Sequence, residues 1–415
     1  MGIPTTIGRF AVKEQSAWGT AQTSFVNANF VEAQVTIPTP AQGSVQAEVM
    51  RASWFATSRV AGGRGPSEIS LTMPLHGFST ATPSGEATEH PDALLLRSVL
   101  GGGNQDGYSA DLAGGTATTI AVTTGDAAVV GQAVLVPLDS TSPTEYSVGW
   151  VSEKSSNTYT VLRKFALTAA GVEQTPASSG SVYGSSTVFL SNTQPTPFTL
   201  EWLGSSDNIK YRFVDCVVTS ASITMNAREQ PTLAVTIRSG DFANDASGGA
   251  PSAAALTDRP QLPVVLSDNG ARVVDASAEQ KAGTVSINLS MDVADEVNYD
   301  AAQGIARFVT TKRSVEVQIV SPAAATGASK LDDPAALIAP GTSAGAVQIE
   351  ASTTPGRAFS ALIAAGVLRE LQTLGDANSL VSVTTTMECA IYSGDSTDSG
   401  SMGSAADTPF RLAFL

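Results

Sequence analysis

Two stretches of the chain alternate strictly between apolar and polar residues, which is the pattern of a β-strand with one buried face. Residues 62–77, GGRGPSEISLTMPLHG, place apolar side chains at Ile69, Leu71, Met73 and Leu75. Residues 281–293, KAGTVSINLSMDV, do the same at Val285, Ile287, Leu289, Met291 and Val293. Each stretch follows a glycine-containing turn, so we expect two copies of one strand in two related modules.

The order of predicted elements around these stretches also repeats. The first half has further strand-like runs at 30–38, 53–61, 197–204, 209–225 and 231–242. The second half has strand-like runs at 313–322, 346–352 and 379–393. A short helix that begins at Asp333 and Pro334 would take the place of the helix of the first half.

Two segments carry helical signals. In 88–103, Pro91 suits the first helical turn and Gly101 suits a left-handed residue at the helix end. In 357–375 the apolar residues also have helical spacing, but the counterpart of this segment at 212–225 has the composition of a strand. We predict a helix in the first segment and a strand in the second.

The segment 114–190 differs from its surroundings, since it consists of short strands divided by Gly, Asp and Ser-Pro turns. We predict that it is a small β-domain inserted into the first module, which comprises 1–113 and 191–250. Residues 251–415 would be a second module. The predicted fold class is mainly β: two sandwich or tube modules with short flanking helices, and one inserted β-domain.

Two polar stretches are predicted to connect these units. The Ser- and Gly-rich run at 177–186 would be the exit linker of the inserted domain, and the polar run at 243–260 would be the joint between the modules.

The composition narrows the classes of function. Charged residues make up only 15% of the chain and the formal net charge is -15, which argues against a protein that binds nucleic acid through clustered cations. The two cysteines, Cys216 and Cys389, lie in apolar alternating runs, so we expect buried free thiols. The first residues contain no long apolar run, so we expect no signal peptide and no membrane anchor, and synthesis in a cytoplasm.

The sequence contains little that suggests enzymatic chemistry. Its two histidines, His76 and His90, make a metal site or a Ser-His-Asp triad improbable, and no phosphate-binding or dinucleotide-binding motif is present. Acidic residues at 292–296 and 331–334 lack the aromatic neighbours of a sugar site, and Asp241 and Asp245 lack the glutamate that completes a calcium loop. We expect a structural protein with no enzymatic activity, no cofactor and no metal.

Four motifs resemble one protein family when they are taken in order. They are EQSAWGTAQT (14–23), AGGRGPSEISLTMPLHG (61–77), EHPDALLLRSVLGG (89–102) and the run that joins 198–204, 211–225 and 231–240. Together they resemble the tail tube proteins, or major tail proteins, of tailed bacteriophages. The resemblance covers roughly residues 10–110 and 195–245, with weaker similarity over 280–320.

The resemblance implies a sandwich module with a flanking helix, six modules in a ring, and rings stacked into a tube whose lumen conducts genomic double-stranded DNA. It implies a virion protein assembled in the host cytoplasm. Its partners would be other copies of itself, the tape measure protein, the tail terminator and tail-tip proteins, and a sheath protein if the tail is contractile. No membrane partner is implied.

A second module in each chain favours a ring of three chains, with six chains as the alternative. The lumen should be acidic or neutral, since fixed cations would hold DNA phosphates, and Glu68, Asp292 and Glu316 are the lumen-lining candidates. Two other functions stay open at this point: a tail-tip, baseplate or capsid-decoration protein, and a secreted carbohydrate-binding or carbohydrate-active protein.

Overall fold

The structure is a computed structural model that describes the chain from residue 8 to residue 415, apart from 24, 27–28, 32, 34–41, 48–57, 65, 78–89, 106–107, 125–128, 139–145, 163–173, 205–209, 245–261, 267–270, 276–278, 298–304, 324–340, 342, 353, 371, 378–379, 391 and 393–407. The fold is mainly β, which confirms the predicted class. The predicted helix at Asp333 and Pro334 lies outside the described residues, as does the predicted joint at 243–260 beyond Asn244.

The elements before the inserted segment are β1 (Gly8–Glu14), β2 (Phe30–Val31), β3 (Gln42–Ala47), β4 (Ser58–Arg64), β5 (Ser67–Pro74), α1 (Pro91–Leu100) and β6 (Gly101–Gln105). The next six strands are β7 (Tyr108–Thr116), β8 (Thr119–Thr124), β9 (Ala133–Pro137), β10 (Tyr146–Ser155), β11 (Thr158–Val161) and β12 (Ser181–Gly184). They are followed by β13 (Ser186–Leu190), β14 (Phe198–Gly204), β15 (Lys210–Asn226), β16 (Thr232–Asn244), β17 (Ala271–Val274), β18 (Glu279–Ala282) and β19 (Thr284–Val297). The last are β20 (Ile305–Pro322), β21 (Ser343–Ser352), β22 (Phe359–Leu368), β23 (Thr373–Ala377), β24 (Leu380–Cys389) and β25 (Phe410–Phe414).

Seven strands form one antiparallel row, which we call sheet 1. Their order is β5–β16–β15–β19–β20–β24–β23. Along β5 the burial alternates residue by residue, with Ile69, Leu71 and Met73 buried and the residues between them exposed. The strictly alternating sequence therefore produces a sheet with one apolar and one polar face.

Strand directions in sheet 1 change the predicted repeat. Neighbouring strands are antiparallel, so β5 and β19, which are separated by β16 and β15, run in opposite directions. By contrast, β5 and β20 run in the same direction, and the row β20–β24–β23 has the same order as β5–β16–β15. A repeat whose copies share strand direction therefore matches β5 with the strand at 313–322, and not with 281–293 as the sequence pattern predicts.

A second layer, sheet 2, packs against the apolar face of sheet 1 and makes the fold sandwich-like. It consists of the rows β2–β1–β14 and β6–β13–β25–β22–β21–β17–β18. The long strand β15 belongs to both layers, since its first half pairs with β14 and its second half with β19. The core between the layers includes Leu71, Ile223, Ile287 and Val317 from sheet 1 and Phe10, Leu200, Phe359 and Leu412 from sheet 2.

The helix α1 lies where the sequence predicts it. Pro91 is its first residue, and Gly101 at its end has a φ of 76° and donates its N–H to Arg97 O. His90 precedes the helix, and its Nδ1 accepts the Ala93 N–H at 3.3 Å. Nine of its ten residues are buried, so the helix fills space between elements of the sandwich core.

Arg313 on β20 binds the C-terminal end of this helix. Its Nε donates to Val99 O and its Nη1 donates to Ser191 O, both at 2.8 Å. Burial lowers the pKa of its guanidinium to about 10. A β-carbon on Gly101 would lie 2.6 Å from this guanidinium, so Gly101 is needed both for the backbone conformation and for space.

The strands β7 to β12 form a closed barrel in the order β10–β11–β8–β7–β12–β9. Its interior is filled by alternate residues, among them Leu112, Ile120, Val136, Tyr159 and Val182. The hydrogen-bonded barrel spans Tyr108–Gly184, whereas the inserted domain was predicted at 114–190. The difference arises because β13, at the end of that range, pairs with β6 and β25 of sheet 2.

The predicted linker at 177–186 is wrong, because half of its residues belong to β-strands. Residues 181–184 are barrel strand β12 and Ser186 begins β13. The many serines and glycines of this segment make its alternation of buried and exposed residues difficult to recognise from the sequence. Val182 lies in the barrel core.

The barrel packs directly on sheet 2. The apolar outer residues Ala133, Leu135, Val148 and Trp150 form one cluster with Ala358, Leu362, Ala364, Ala413 and Leu415. Trp150 Nε1 donates to Ser360 Oγ at 3.1 Å, and Gln348 Nε2 donates to Val148 O at 3.0 Å. The strand β22 is therefore covered on both faces, by the sandwich core and by the barrel.

The strand predicted within 357–375 is confirmed, since β22 and β23 occupy this segment. Six consecutive residues of β22, from Phe359 to Ala364, are buried. A strand that is covered on both faces has no polar alternation, which is why its sequence also fits a helix.

Candidate functional site: the polar face of sheet 1

The side of sheet 1 that faces away from the core forms a surface that we call the polar face. It is lined by short hydroxyl and amide side chains, and a shallow groove of about 500 Å³ crosses it. The polar residues of this groove are Ser70, Thr72, Ser220, Ser222, Thr236, Asn288, Ser290, Ser314 and Glu316.

Cross-strand register places the hydroxyl residues in rows. One row runs across five strands through Ser70, Thr236, Ser220, Ser290 and Ser314. Ser290 Oγ and Ser314 Oγ lie 2.6 Å apart, and Ser222 Oγ donates to Asn288 Oδ1 at 2.8 Å. Because hydroxyl and amide groups carry no charge, this row of the polar face is electrically neutral.

All three acidic residues singled out in the sequence lie on the polar face. Glu68 on β5 and Asp292 on β19 are exposed, and they occupy the same level of the sheet, on one side of the hydroxyl row. Glu316 on β20 lies on the other side of that row, opposite Asn288 and Glu388. The structure thus brings the three carboxylates onto one surface, although it does not bring them into contact.

Sequence reasoning missed the cations beside these acids. Arg238 is the cross-strand neighbour of Glu68, and Lys312 is the cross-strand neighbour of Asp292. Arg369, from the end of β22, forms an ion pair with Glu316. Period-two alternation identifies Arg238 and Lys312 as polar-face residues once their strands are known, but nothing in the sequence places Arg369 there.

The two histidines belong to a buried cluster at the start of α1. Asp92 Oδ2 accepts the backbone N–H of His76 at 2.9 Å and lies 3.4 Å from His76 Nδ1. His90 Nε2 donates to Gly77 O at 3.0 Å, and the His90 ring packs against the Phe414 ring at an angle of 37°. His76, His90 and Asp92 are at most 1% exposed, so they pack inside the protein at the start of α1.

The cysteines are free in the structure, and Cys216 is fully buried, as predicted. Cys389 is only partly buried, which corrects the expectation for this residue. Burial raises the pKa of the Cys216 thiol well above its usual range and that of Cys389 to about 12. Both side chains are therefore neutral thiols at physiological pH, not reactive thiolates.

Asp215 is an unexpected anchor for the segment after β1. It has a φ of 56°, which is rare for a residue with a side chain. Its Oδ1 accepts the Gly19 N–H at 2.7 Å and Gln15 Nε2 at 3.0 Å, and its own N–H donates to Gln15 Oε1. Burial, with a smaller contribution from Asp241, raises the pKa of the Asp215 carboxyl.

The described part of the chain contains neither a candidate metal site nor a candidate membrane-spanning helix. No group of three or more His, Cys, Asp or Glu side chains in these residues is placed to hold a metal ion. No helix within them is long and apolar enough to cross a membrane.

Comparison with known proteins does not identify a family for this chain. No family model matches the sequence, and no curated protein matches it either.

Proposed function

We propose that the protein is a structural virion protein that assembles into rings, and that the rings stack into a phage tail tube whose lumen conducts genomic DNA. The observation that supports this most is sheet 1, which has a packed apolar face, a polar face lined by hydroxyl groups and, among the described residues, an unpaired edge at each end. The polar face would line the lumen.

The two ends of sheet 1 can pair with other strands. Within the described residues, β5 pairs only with β16 and β23 pairs only with β24. The register between β5 and β16 is unbroken from Ser67 to Pro74, so its outer backbone groups form a regular open edge. An edge of this kind promotes association with another chain.

The end formed by β23 and β24 also exposes apolar side chains. Leu374 is 53% exposed and Val381 is 57% exposed, although both lie on the apolar side of sheet 1. The open edges are at opposite ends of one sheet and differ in sequence, so contact between them is heterologous and closes into a ring if the rotation allows it. A second copy of the chain would cover both.

The repeat within sheet 1 supports two tube modules in each chain. The rows β5–β16–β15 and β20–β24–β23 have the same order, and β5 and β20 run in the same direction. Units that are related by rotation about a tube axis must have this common direction. We therefore propose a ring of three chains, and a ring of six chains is the alternative.

The further partners in this proposal follow from the family resemblance. They are the tape measure, tail terminator and tail-tip proteins, with a sheath protein if the tail is contractile. The protein would be assembled in the host cytoplasm and would act in the virion tail, without a cofactor and without enzymatic activity.

Electron microscopy of the purified protein tests the proposal. Long hollow tubes whose averaged cross-section has threefold symmetry are expected. Single rings would instead indicate the tail-tip, baseplate or decoration function, and monomers at all concentrations would contradict self-assembly. True sixfold symmetry would support the ring of six.

A pair of matched variants tests the proposed edge. Leu374→Lys should prevent tube formation, because it places a charge in an interface that buries this apolar side chain. Val129→Lys is the control, since Val129 is also exposed (43%) but precedes a barrel strand. Equal assembly of both variants would show that the end of sheet 1 is not an interface.

A further inference from the structure

Each of three cations on the polar face has a carboxylate as a neighbour, and one further acid, Glu388, lies opposite Glu316. Glu68 lies opposite Arg238 across the β5–β16 ladder, and Asp292 lies opposite Lys312 across the β19–β20 ladder. Directly opposed side chains on one face of a sheet are close enough to interact. The cation in each of these two pairs therefore has a carboxylate beside it.

Ion pairs extend this arrangement. Glu316 binds Arg369, and Arg238 Nη2 lies 2.8 Å from Asp295 Oδ2. The side chains in these two pairs are between 30% and 51% exposed. Exposed pairs of this kind stabilise a fold by only about 0–1 kcal/mol, so protein stability does not explain why they recur on one surface.

We propose that Glu68, Asp292 and Glu316 neutralise Arg238, Lys312 and Arg369, and that this keeps the polar face from binding the phosphates of double-stranded DNA. The inference rests on the proposed function, in which this face lines the path of the DNA. It differs from a uniformly acidic wall, because each named cation has a carboxylate beside it and only a small acidic excess, from Asp295 and Glu388, repels the DNA.

The physical reason is local neutrality, not a rigid hydrogen bond. A carboxylate cancels the field of its cation for a phosphate as long as both charges lie within a screening length, about 8–10 Å at physiological salt. Between the charged groups lies the neutral hydroxyl row of Ser70, Thr236, Ser220, Ser290 and Ser314. A DNA strand that passes over the face therefore meets no uncompensated cation among these residues.

Removal of two of the carboxylates tests the inference. The double variant Asp292→Asn, Glu316→Gln keeps side-chain size but removes the cross-strand carboxylate of Lys312 and the ion-pair partner of Arg369. Its affinity for a fluorescent DNA duplex, measured by anisotropy, should exceed that of the unchanged protein at least about tenfold at low salt. Because two new phosphate contacts release counterions, this affinity should fall about tenfold between about 50 and 200 mM salt.

Two controls separate local pairing from net charge. The variant Asp111→Asn, Glu153→Gln removes the same total charge from exposed barrel positions and should bind DNA as weakly as the unchanged protein. Adding Lys312→Gln and Arg369→Gln to the first variant should abolish the gained binding. If the barrel variant gains equally, or if the first variant gains nothing, the inference is wrong. The single variants Asp292→Asn and Glu316→Gln decide the question if the double variant does not fold.

Micrographs of the same samples distinguish the two proposals. Tubes without any gain of DNA binding in Asp292→Asn, Glu316→Gln contradict the inference alone. A gain without tubes in any sample contradicts the tube function, and the charge balance then remains a property of the face.

Discussion

Replacement of Arg313 by alanine should loosen the end of α1 without unfolding the protein. The guanidinium donates to Val99 O and Ser191 O, and it lies at the C-terminal end of the helix, where a cation is favourable. Each hydrogen bond from a charged group contributes about 1.5–3 kcal/mol. The cost of burying the guanidinium, which its lowered pKa reflects, opposes this gain. We expect a net loss of about 3 kcal/mol in the free energy of local opening.

Hydrogen exchange measures this effect locally. The amides of Gly101 and Ser191 bond to Arg97 O and Leu100 O respectively, so both report on the helix end. A loss of about 3 kcal/mol speeds their exchange about a hundredfold, since each 1.4 kcal/mol is a factor of ten.

The control for this prediction lies on the same strand. Arg307 pairs with Glu296 in a contact whose side chains are about half exposed, so Arg307→Ala should change protection by less than about 1 kcal/mol. If Arg313→Ala leaves the exchange of Gly101 and Ser191 unchanged while the fold is intact, the reasoning about this contact is refuted.

Three further substitutions have defined outcomes. Asp215→Asn should raise the free energy of unfolding at pH 7, because folding raises the pKa of this carboxyl and so disfavours its charge. The gain should shrink as the pH falls below the folded pKa and vanish below the unfolded pKa, and urea titrations at pH 4 and pH 7 that show the same gain would contradict it. Gly102→Ala should prevent stable folding, since its β-carbon would lie 1.8 Å from Phe189 O. In the control Gly283→Ala the nearest atom is 3.6 Å away, so its melting temperature should be almost unchanged, and equal melting temperatures of the two variants would refute the packing argument. His90→Ala should lower the free energy of unfolding by about 1 kcal/mol or more through loss of the helix cap, and His90→Asn should recover part of this loss in thermal unfolding. No recovery would mean that the ring contact with Phe414, not the cap, stabilises the fold.

Local signals in the sequence predicted the elements that depend on local chemistry. Pro91 and Gly101 fixed the ends of α1, because helix termini need these backbone properties whatever the helix packs against. Alternation along β5 likewise predicted both its buried face and the exposure of Glu68. The polar-face positions of Asp292 and Glu316 followed from the same period of two.

Pairing between distant strands was not predictable from such patterns. Period two is common to β5, β19 and β20, so the sequence could not tell which of the last two matches the first, and strand direction decided it. The barrel boundary was missed for a similar reason, since alternate small residues in β12 look like a linker. Arg369 was missed because a side chain that reaches across from a neighbouring strand leaves no trace in the local pattern.

The position of β25 has a consequence for the order of folding. This strand lies between β13 and β22, where Ser186 pairs with Phe414 and Phe359 pairs with the same residue. The contact between Ser186 and Phe414 closes a very long loop, and the conformational entropy of that loop must be lost before the contact can stabilise the fold. The barrel strands, by contrast, are close to one another along the chain. The barrel can therefore form early, with Trp150 already in its place on the outer surface of the barrel. Sheet 2 is completed only when β25 enters between β13 and β22. Until then the barrel lacks the part of its packing surface that Ala413 and Leu415 provide, so completely folded protein should appear with a delay set by this insertion.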